Sequence, residues 1–326
     1  MGKMQHMQKR NCVIDIMRLV ISVIIVFIHC PFPGAVGRYI IILGRVGVPF
    51  FLVLSGWFSY HPDQDTVIAR TKKKMVDTVR LLCIFFAAYF LMNTITSFLL
   101  KRDAFAWVQS YCNLDTLVNL VLYNRAWFLG STGYYPFLLL YVYIIFSFLV
   151  KTNTIRKAYY LIPVLLLYNV VCGEFTDIPW YHYGNFLFTG LPFFLLGHWL
   201  RANKTVLDKL SPIWLWLFLA GTISSFVEAH CFKSAYCHFG SILMAVSLFT
   251  ACISSKLVWR QDLVSCFQRC SVYIFIVHCG LRDILKAFMQ VTGLSCSPYV
   301  FPLLVLLASV LVSVVWDRIA VRMQKA

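Results

Sequence analysis

Arg18 and His29 lie eleven residues apart in the apolar run between Cys12 and Cys30. Eleven residues make almost three turns of α-helix, so the two side chains differ by about 20° in direction and stand roughly 16 Å apart along the axis. They share a face. Ionisable groups inside a bilayer-spanning helix are costly and are functional candidates by default. An imidazole exchanges protons near neutral pH and a guanidinium holds anions, so the face offers a proton acceptor and an anion holder. Asp15, three residues before Arg18, has the spacing for a local ion pair, which is the structural alternative for that arginine. Arg45 sits in the second apolar run, and a tightly turned first hairpin brings it to the depth of His29.

A second kind of chemistry is electrostatic. Arg70, Lys72, Lys73 and Lys74 follow the second run as a dense cationic patch, suited to a polyanion such as a nucleotide carrying several phosphates. A cluster of this kind also marks the cytoplasmic end of a membrane helix. His278, in the penultimate run, is a weaker site candidate, since an interior histidine bonded to a neighbouring helix explains it equally well. Glu174, Asp177, Trp180 and Tyr181 crowd one connection. Sugar rings stack on aromatic faces while carboxylates take their hydroxyls, so the cluster suits a glycan, although Trp and Tyr also gather at membrane interfaces.

These groups need a scaffold, and the composition defines it. With 60% apolar and 13% charged residues and a mean hydropathy of +0.76, the chain has too little polar surface to cover a water-soluble globule. It reads as an all-α polytopic membrane protein with ten candidate spans, near 12–30, 38–60, 79–100, 132–150, 158–173, 183–200, 211–228, 238–254, 270–288 and 298–316. Together they make one transmembrane domain over 1–326, with no appended soluble domain. Lys and Arg fall mostly on the loops that share a side with both termini, which predicts a cytoplasmic N-terminus and C-terminus in a cell membrane of the bacterial inner or plasma type. The formal charge of +16 is then a topology signal and an attraction to anionic headgroups, and nucleic acid is not an expected partner. Asp15 and Arg18 interrupt the first span and no small-residue cleavage pattern follows, so it is not read as a cleavable signal peptide.

The 32 residues from Lys101 to Thr132 carry Trp107, Tyr111, Leu114, Leu117, Val118, Val121 and Leu122 at roughly helical spacing, which fits an amphipathic helix along the outer surface, or a re-entrant segment, better than a free loop. Twelve cysteines show no metal-ligand spacing, and no metal is expected. His230, Cys231, Cys237 and His238 around a short outer connection are the exception, and they read first as ordinary loop residues, then as a Cys231–Cys237 disulfide and last as a metal site.

In order and placement these motifs resemble acyltransferase family 3, the membrane O-acyltransferases that modify surface polysaccharides. The likeness rests on Arg18 and His29 in the first span, and on Arg45, Val48, Pro49, Phe50, Phe51, Ser55, Gly56 and Trp57 in the second. It continues with Trp127, Phe128 and Leu129 before the fourth, Leu196 and Gly197 closing a Phe-rich span, and Tyr273 with His278 in the penultimate one. The family's R-x-x-R element appears here as Arg70 with Lys73, which keeps the charge and loses one bidentate fork.

The resemblance implies an acyl-CoA donor, most simply acetyl-CoA as a substrate rather than a resident cofactor, with phosphates at Arg70, Lys72, Lys73 and Lys74. Arg18 would steady the donor arm. His29 would take the proton of an acceptor hydroxyl and Arg45 would face the developing oxyanion. Trp127, Glu174, Asp177, Trp180 and Tyr181 would meet a glycan or lipid-linked sugar acceptor, and Ser55, Tyr273 and His278 would support the site. The rival reading is a transporter or flippase of a small amino acid or lipid-linked sugar, which has no need of a CoA cradle. Oligomeric state has no signature in the chain.

Overall fold

Asn11 opens the first helix by accepting the Val13 amide at 3.0 Å, and its own amide donates to the Cys252 carbonyl at 2.7 Å, tying the chain's start to a distant helix end. The computed structural model describes residues 11–103, 105–126, 132–232, 237–257 and 259–323. The described residues form α1 (Cys12–His29), α2 (Gly34–Gly44), α3 (Gly47–Trp57), α4 (Gln64–Leu99), α5 (Ala106–Tyr111), α6 (Leu114–Tyr123) and α7 (Tyr134–Lys151). Then come α8 (Ile155–Ala158), α9 (Leu161–Phe175), a 3₁₀ turn at Trp180–His182, a π-helical segment at Phe186–Gly190 and α10 (Leu191–Ala202). The chain closes with α11 (Lys204–Leu210), α12 (Trp214–Cys231), α13 (Phe239–Ser254), α14 (Gln261–Thr292) and α15 (Phe301–Met323).

The expected all-helical membrane architecture is present, with a different count of long spans. Among the described residues, 7 helical segments are long and apolar enough to cross a bilayer: α1, α2 with α3, α4, α7, α8 with α9, α11 with α12, and α15. The remaining expected spans fall on α10, with 12 residues, on α13, with 16, and on α14, whose 32 residues carry charged flanks. In the stretch after Lys101, α6 buries none of its residues, as expected of a helix lying on a surface.

The second span breaks in the middle. Pro49 has no amide to give the carbonyl four residues back, which is that of Arg45, so α2 ends at Gly44 and α3 starts at Gly47. The break sets Arg45 between two half-helices.

Around this break the bundle packs closely. In lipid, helices associate by packing and polar contacts, and small residues let backbones approach. At the α3–α10 crossing, a methyl group on Gly56 would collide with the Phe194 carbonyl, and one on Gly197 with that of Val53. Phe50, Phe146, Phe193, Phe194 and Phe249 are fully buried around the crossing. On the other side, α1 lies along α14, and α14 is tied to α15 by a two-toothed ion pair between Arg269 and Asp317. Two chemically distinct ends result, the His29 end and the Lys74 end.

Candidate active site

At the His29 end, packing of α1 on α14 brings His29 and His278 together with ring centroids 5.4 Å apart and planes inclined at 37°. His278 is 1% exposed. Its Nδ1 lies 2.9 Å from the Ile274 carbonyl one turn back, the donor's position, while its Nε2 is buried without a hydrogen bond. One turn further, Arg282 donates from Nη1 to the main-chain carbonyl of His29 at 2.8 Å and grips Asp283 with its other nitrogens at 2.8 and 3.2 Å. That bond anchors the last turn of α1 to α14.

His29 faces a cavity of about 380 Å³ rather than lipid. Arg45, Thr132, Tyr134, Trp180 and Phe275 share the wall with it, and Ile25, Ile28, Ile41 and Val48 make the remainder largely apolar. Of the sequence-derived residues, His29, Arg45 and Trp180 therefore meet in one chamber, beside His278. An apolar chamber with a few convergent polar groups is the usual form of a small-molecule site. Its imidazole and guanidinium suit proton transfer beside a developing negative charge.

The wall is braced by the connection after α9. The Asn169 amide donates to the Tyr183 carbonyl at 2.8 Å and to the Thr189 hydroxyl at 2.6 Å. Asn124 accepts the Phe186 amide at 2.8 Å, and the Arg125 guanidinium lies 3.9 Å above the Tyr181 ring. Tyr181 thus helps hold the connection in which Trp180 lines the chamber, and Asp177 is exposed. Trp127 and the two residues after it lie outside the described residues.

Glu174 differs from its sequence reading. It is no exposed loop carboxylate but a 4% exposed group in the last turn of α9, with Oε1 3.1 Å from Nδ1 of the buried His238. Glu228 completes the cluster and accepts the Phe239 and Gly240 amides at 2.6 and 2.9 Å, so it caps α13. These three residues offer ligand atoms close enough for a metal ion, yet Arg45 is felt electrostatically at His238 and Cys237. Within the protein, Glu228 is engaged by the α13 amides and Glu174 by His238. Cys231 and Cys237 are both free thiols.

At the Lys74 end the cationic patch divides. Val67, Thr71, Thr78 and Phe85 mark the inward face of α4, and of the three consecutive lysines Lys74 falls nearest to it. Its Nζ bonds the Ser59 hydroxyl at 2.8 Å, lies 3.4 Å from the Ser55 carbonyl and rests 5.7 Å above the Tyr143 ring. Arg18, paired with Asp15 at 2.9 Å, and Arg70 are its charged neighbours. Lys72 and Lys73 are exposed. Arg18, Arg70 and Lys74 thus bring three cationic side chains to one end of the bundle, with Asp15 paired to Arg18, and such a group suits an anion.

Between the ends runs an aromatic bridge. Ser55, whose hydroxyl donates to the Phe51 carbonyl at 2.8 Å, is a neighbour of Tyr135 and Tyr143. The Tyr135 ring lies 6.3 Å from Phe51 and 5.6 Å from Phe275, which lines the His29 chamber. Tyr273 points elsewhere, packing 6.4 Å from Trp316 on α15.

Sequence reasoning missed Arg282, Phe275 and Ser59. Arg282 follows His278 by four residues, which puts both on one face of α14, and that spacing was the available signal. Comparison with curated proteins and with solved structures gives no significant match. The histidine pair, the arginine at a broken helix and the basic far end belong to a chain matched from residue 13 to residue 317 by the family model described as an acyltransferase domain, and the protein is accordingly a member of acyltransferase family 3.

Proposed function

We propose that this acyltransferase moves an acyl group, acetyl in the simplest case, from cytosolic acyl-CoA to a hydroxyl of a glycan or glycolipid on the opposite side of a cell membrane. The observation that carries the reading is the division of one bundle into two ends. A chamber lined by His29 and Arg45, with His278 packed against His29, lies at one, and the cationic group of Arg18, Arg70 and Lys74 at the other.

In this reading the Lys74 end faces the cytosol, as the Lys and Arg distribution favours. With α10, α13 and the middle of α14 added to the seven long segments, the chain crosses ten times and returns both termini to that side. Donor phosphates bind at Arg18, Arg70 and Lys74, and the slender pantetheine arm passes Ser55 and Tyr135 toward the chamber. His29 accepts the proton of the acceptor hydroxyl as its oxygen attacks the thioester carbonyl. Arg45 stabilises the oxyanion, and the C–S bond then breaks to release CoA as a thiolate that takes up a proton. Trp180 and Tyr134 offer the acceptor ring faces, with Tyr181 and Asp177 nearby.

The test is mass spectrometry of surface glycans from cells with and without the gene, with His29→Ala as the third arm. Loss of an acetyl ester in both the deletion and the variant, with the variant protein still in the membrane, is expected. An ester that persists with His29→Ala removes His29 from the base role, and glycans unchanged by the deletion remove the acceptor class.

A further inference from the structure

A separate cavity of about 610 Å³ opens at the Lys74 end, where the loop after α3, the ends of α7 and α10, and the α8 turn converge. Its size falls in the range of roughly 300–1,000 Å³ usual for small-molecule sites. The wall is polar and aromatic. Tyr60 follows Ser59, the residue bonded to Lys74, and its ring meets buried His198 edge-on with centroids 5.3 Å apart. The Tyr159 hydroxyl lies 2.7 Å from His198 Nδ1, and Trp199 adds a second large ring. Arg156 reaches the same wall beside Tyr159. No carboxylate lines the cavity, and Arg156 makes no ion pair among the described residues.

We infer that this cavity holds the adenosine 3′-phosphate portion of the donor, with the base against Tyr60, Tyr159 or Trp199 and the 3′-phosphate on Arg156. The inference rests on the acyl-CoA reading and deepens it. Aromatic faces take a purine by stacking, and a guanidinium takes a phosphate dianion through paired donors. Lys74 connects the two parts of the donor site. It bonds Ser59, one residue before Tyr60, and is felt electrostatically at His198. A nucleotide seated here therefore leaves its diphosphate beside the Arg18, Arg70 and Lys74 charges. A free adenine nucleotide carries the same base without the 3′-phosphate, and Arg156 distinguishes the two.

The experiment uses the purified full chain in lipid nanodiscs, with adenosine 3′,5′-bisphosphate and AMP as calorimetric probes, which differ by the 3′-phosphate alone. Wild-type protein is expected to bind the 3′,5′-bisphosphate about tenfold tighter than AMP, the effect of one charge-assisted contact. Arg156→Gln should erase that preference, and Ala202→Trp, which fills the cavity, should weaken both ligands. In turnover, Arg156→Gln should raise KM for acetyl-CoA about tenfold, leave KM for acetyl-dephospho-CoA within twofold and leave kcat unchanged; turnover of the latter shows that the variant is folded. Equal binding of the two probes by wild-type protein, or a preference that survives Arg156→Gln, overturns the inference. If 3′,5′-bisphosphate binds as expected and no acyl-CoA is ever turned over, the donor reading fails while the cavity stands. If acyl-CoA is turned over with no dependence on Arg156, the cavity assignment fails alone.

Discussion

His29 and His278 stand ring to ring at 5.4 Å although 249 positions separate them in the chain. Arg282 on the same helix closes the arrangement by donating to the His29 carbonyl at 2.8 Å. Placing two imidazoles and a guanidinium side by side costs desolvation that an inert bundle would avoid. His278 lends Nδ1 to its own helix and leaves Nε2 buried without a hydrogen bond next to His29, so a role in the proposed chemistry and a role in packing make different predictions. His278→Leu keeps the bulk and removes both nitrogens. Its expected effect is a fall in kcat of tenfold or more with donor KM within twofold, measured by acetyl transfer in proteoliposomes. An unchanged kcat would mark His278 as packing.

Lysines 72 to 74 give a sharper test, because only one of them turns inward. Lys74→Met should raise the apparent KM for acetyl-CoA about tenfold, the scale of one lost charge-assisted phosphate contact. Lys72→Ala and Lys73→Ala, on exposed faces, should each stay within twofold at physiological salt, where exposed charges are screened. Equal effects of all three would point to a diffuse surface field in place of a site.

This division also shows where sequence reading stops. Helical spacing alone put Arg18 and His29 on one face, and the proline at 49 is the local signal for the break that holds Arg45. Three successive lysines sweep most of a helical turn, and which one turns inward depends on Val67, Thr71 and Thr78 packing against other helices. The histidine pair depends on α1 lying along α14, a contact between chain ends that no local pattern announces. Glu174 read as a loop carboxylate because its partner His238 is 64 residues away. Helices α10 and α13 stand where two spans were expected from hydropathy, yet with 12 and 16 residues they are shorter than a full bilayer crossing, a length that hydropathy does not read.

Arg282→Lys keeps the charge and loses the fork that joins the His29 carbonyl to Asp283. We expect kcat to fall severalfold and the chain to stay folded, because α1 and α14 retain their apolar contact. Measured with Arg282→Met, which should be worse, the order wild type, lysine, methionine supports a bond that fixes the end of α1. Equal loss in both variants would indicate that geometry, and not charge, is what matters.

Packing at the α3–α10 crossing has its own test. Gly56→Ala and Gly197→Ala each push a methyl group into an opposing carbonyl, and overpacking of this kind costs about 1–3 kcal/mol or more. Both should lower the melting temperature in detergent. Because the two glycines share one crossing, the double variant should lose less than the sum of the singles. Full additivity would mean that the helices separate independently at each point.

Phe275 borders the His29 chamber, lies 6.2 Å from the His278 ring and touches Tyr135 on the path from Ser55. In the proposed reaction the acyl group arrives past this ring, so its bulk limits how long an acyl chain fits beside His29. Phe275→Leu should shift preference toward butyryl-CoA over acetyl-CoA in a competition assay. The leucine keeps part of the apolar volume, which limits the stability loss below the roughly 3–5 kcal/mol of a full truncation to alanine. The ratio of the two kcat/KM values is the quantity to read, because a folding defect lowers both donors equally and leaves it unchanged. A wider chamber should raise it several-fold, since each extra buried methylene contributes about 0.8 kcal/mol. A ratio that does not move places the acyl path elsewhere and separates the aromatic bridge from the chemistry at His29.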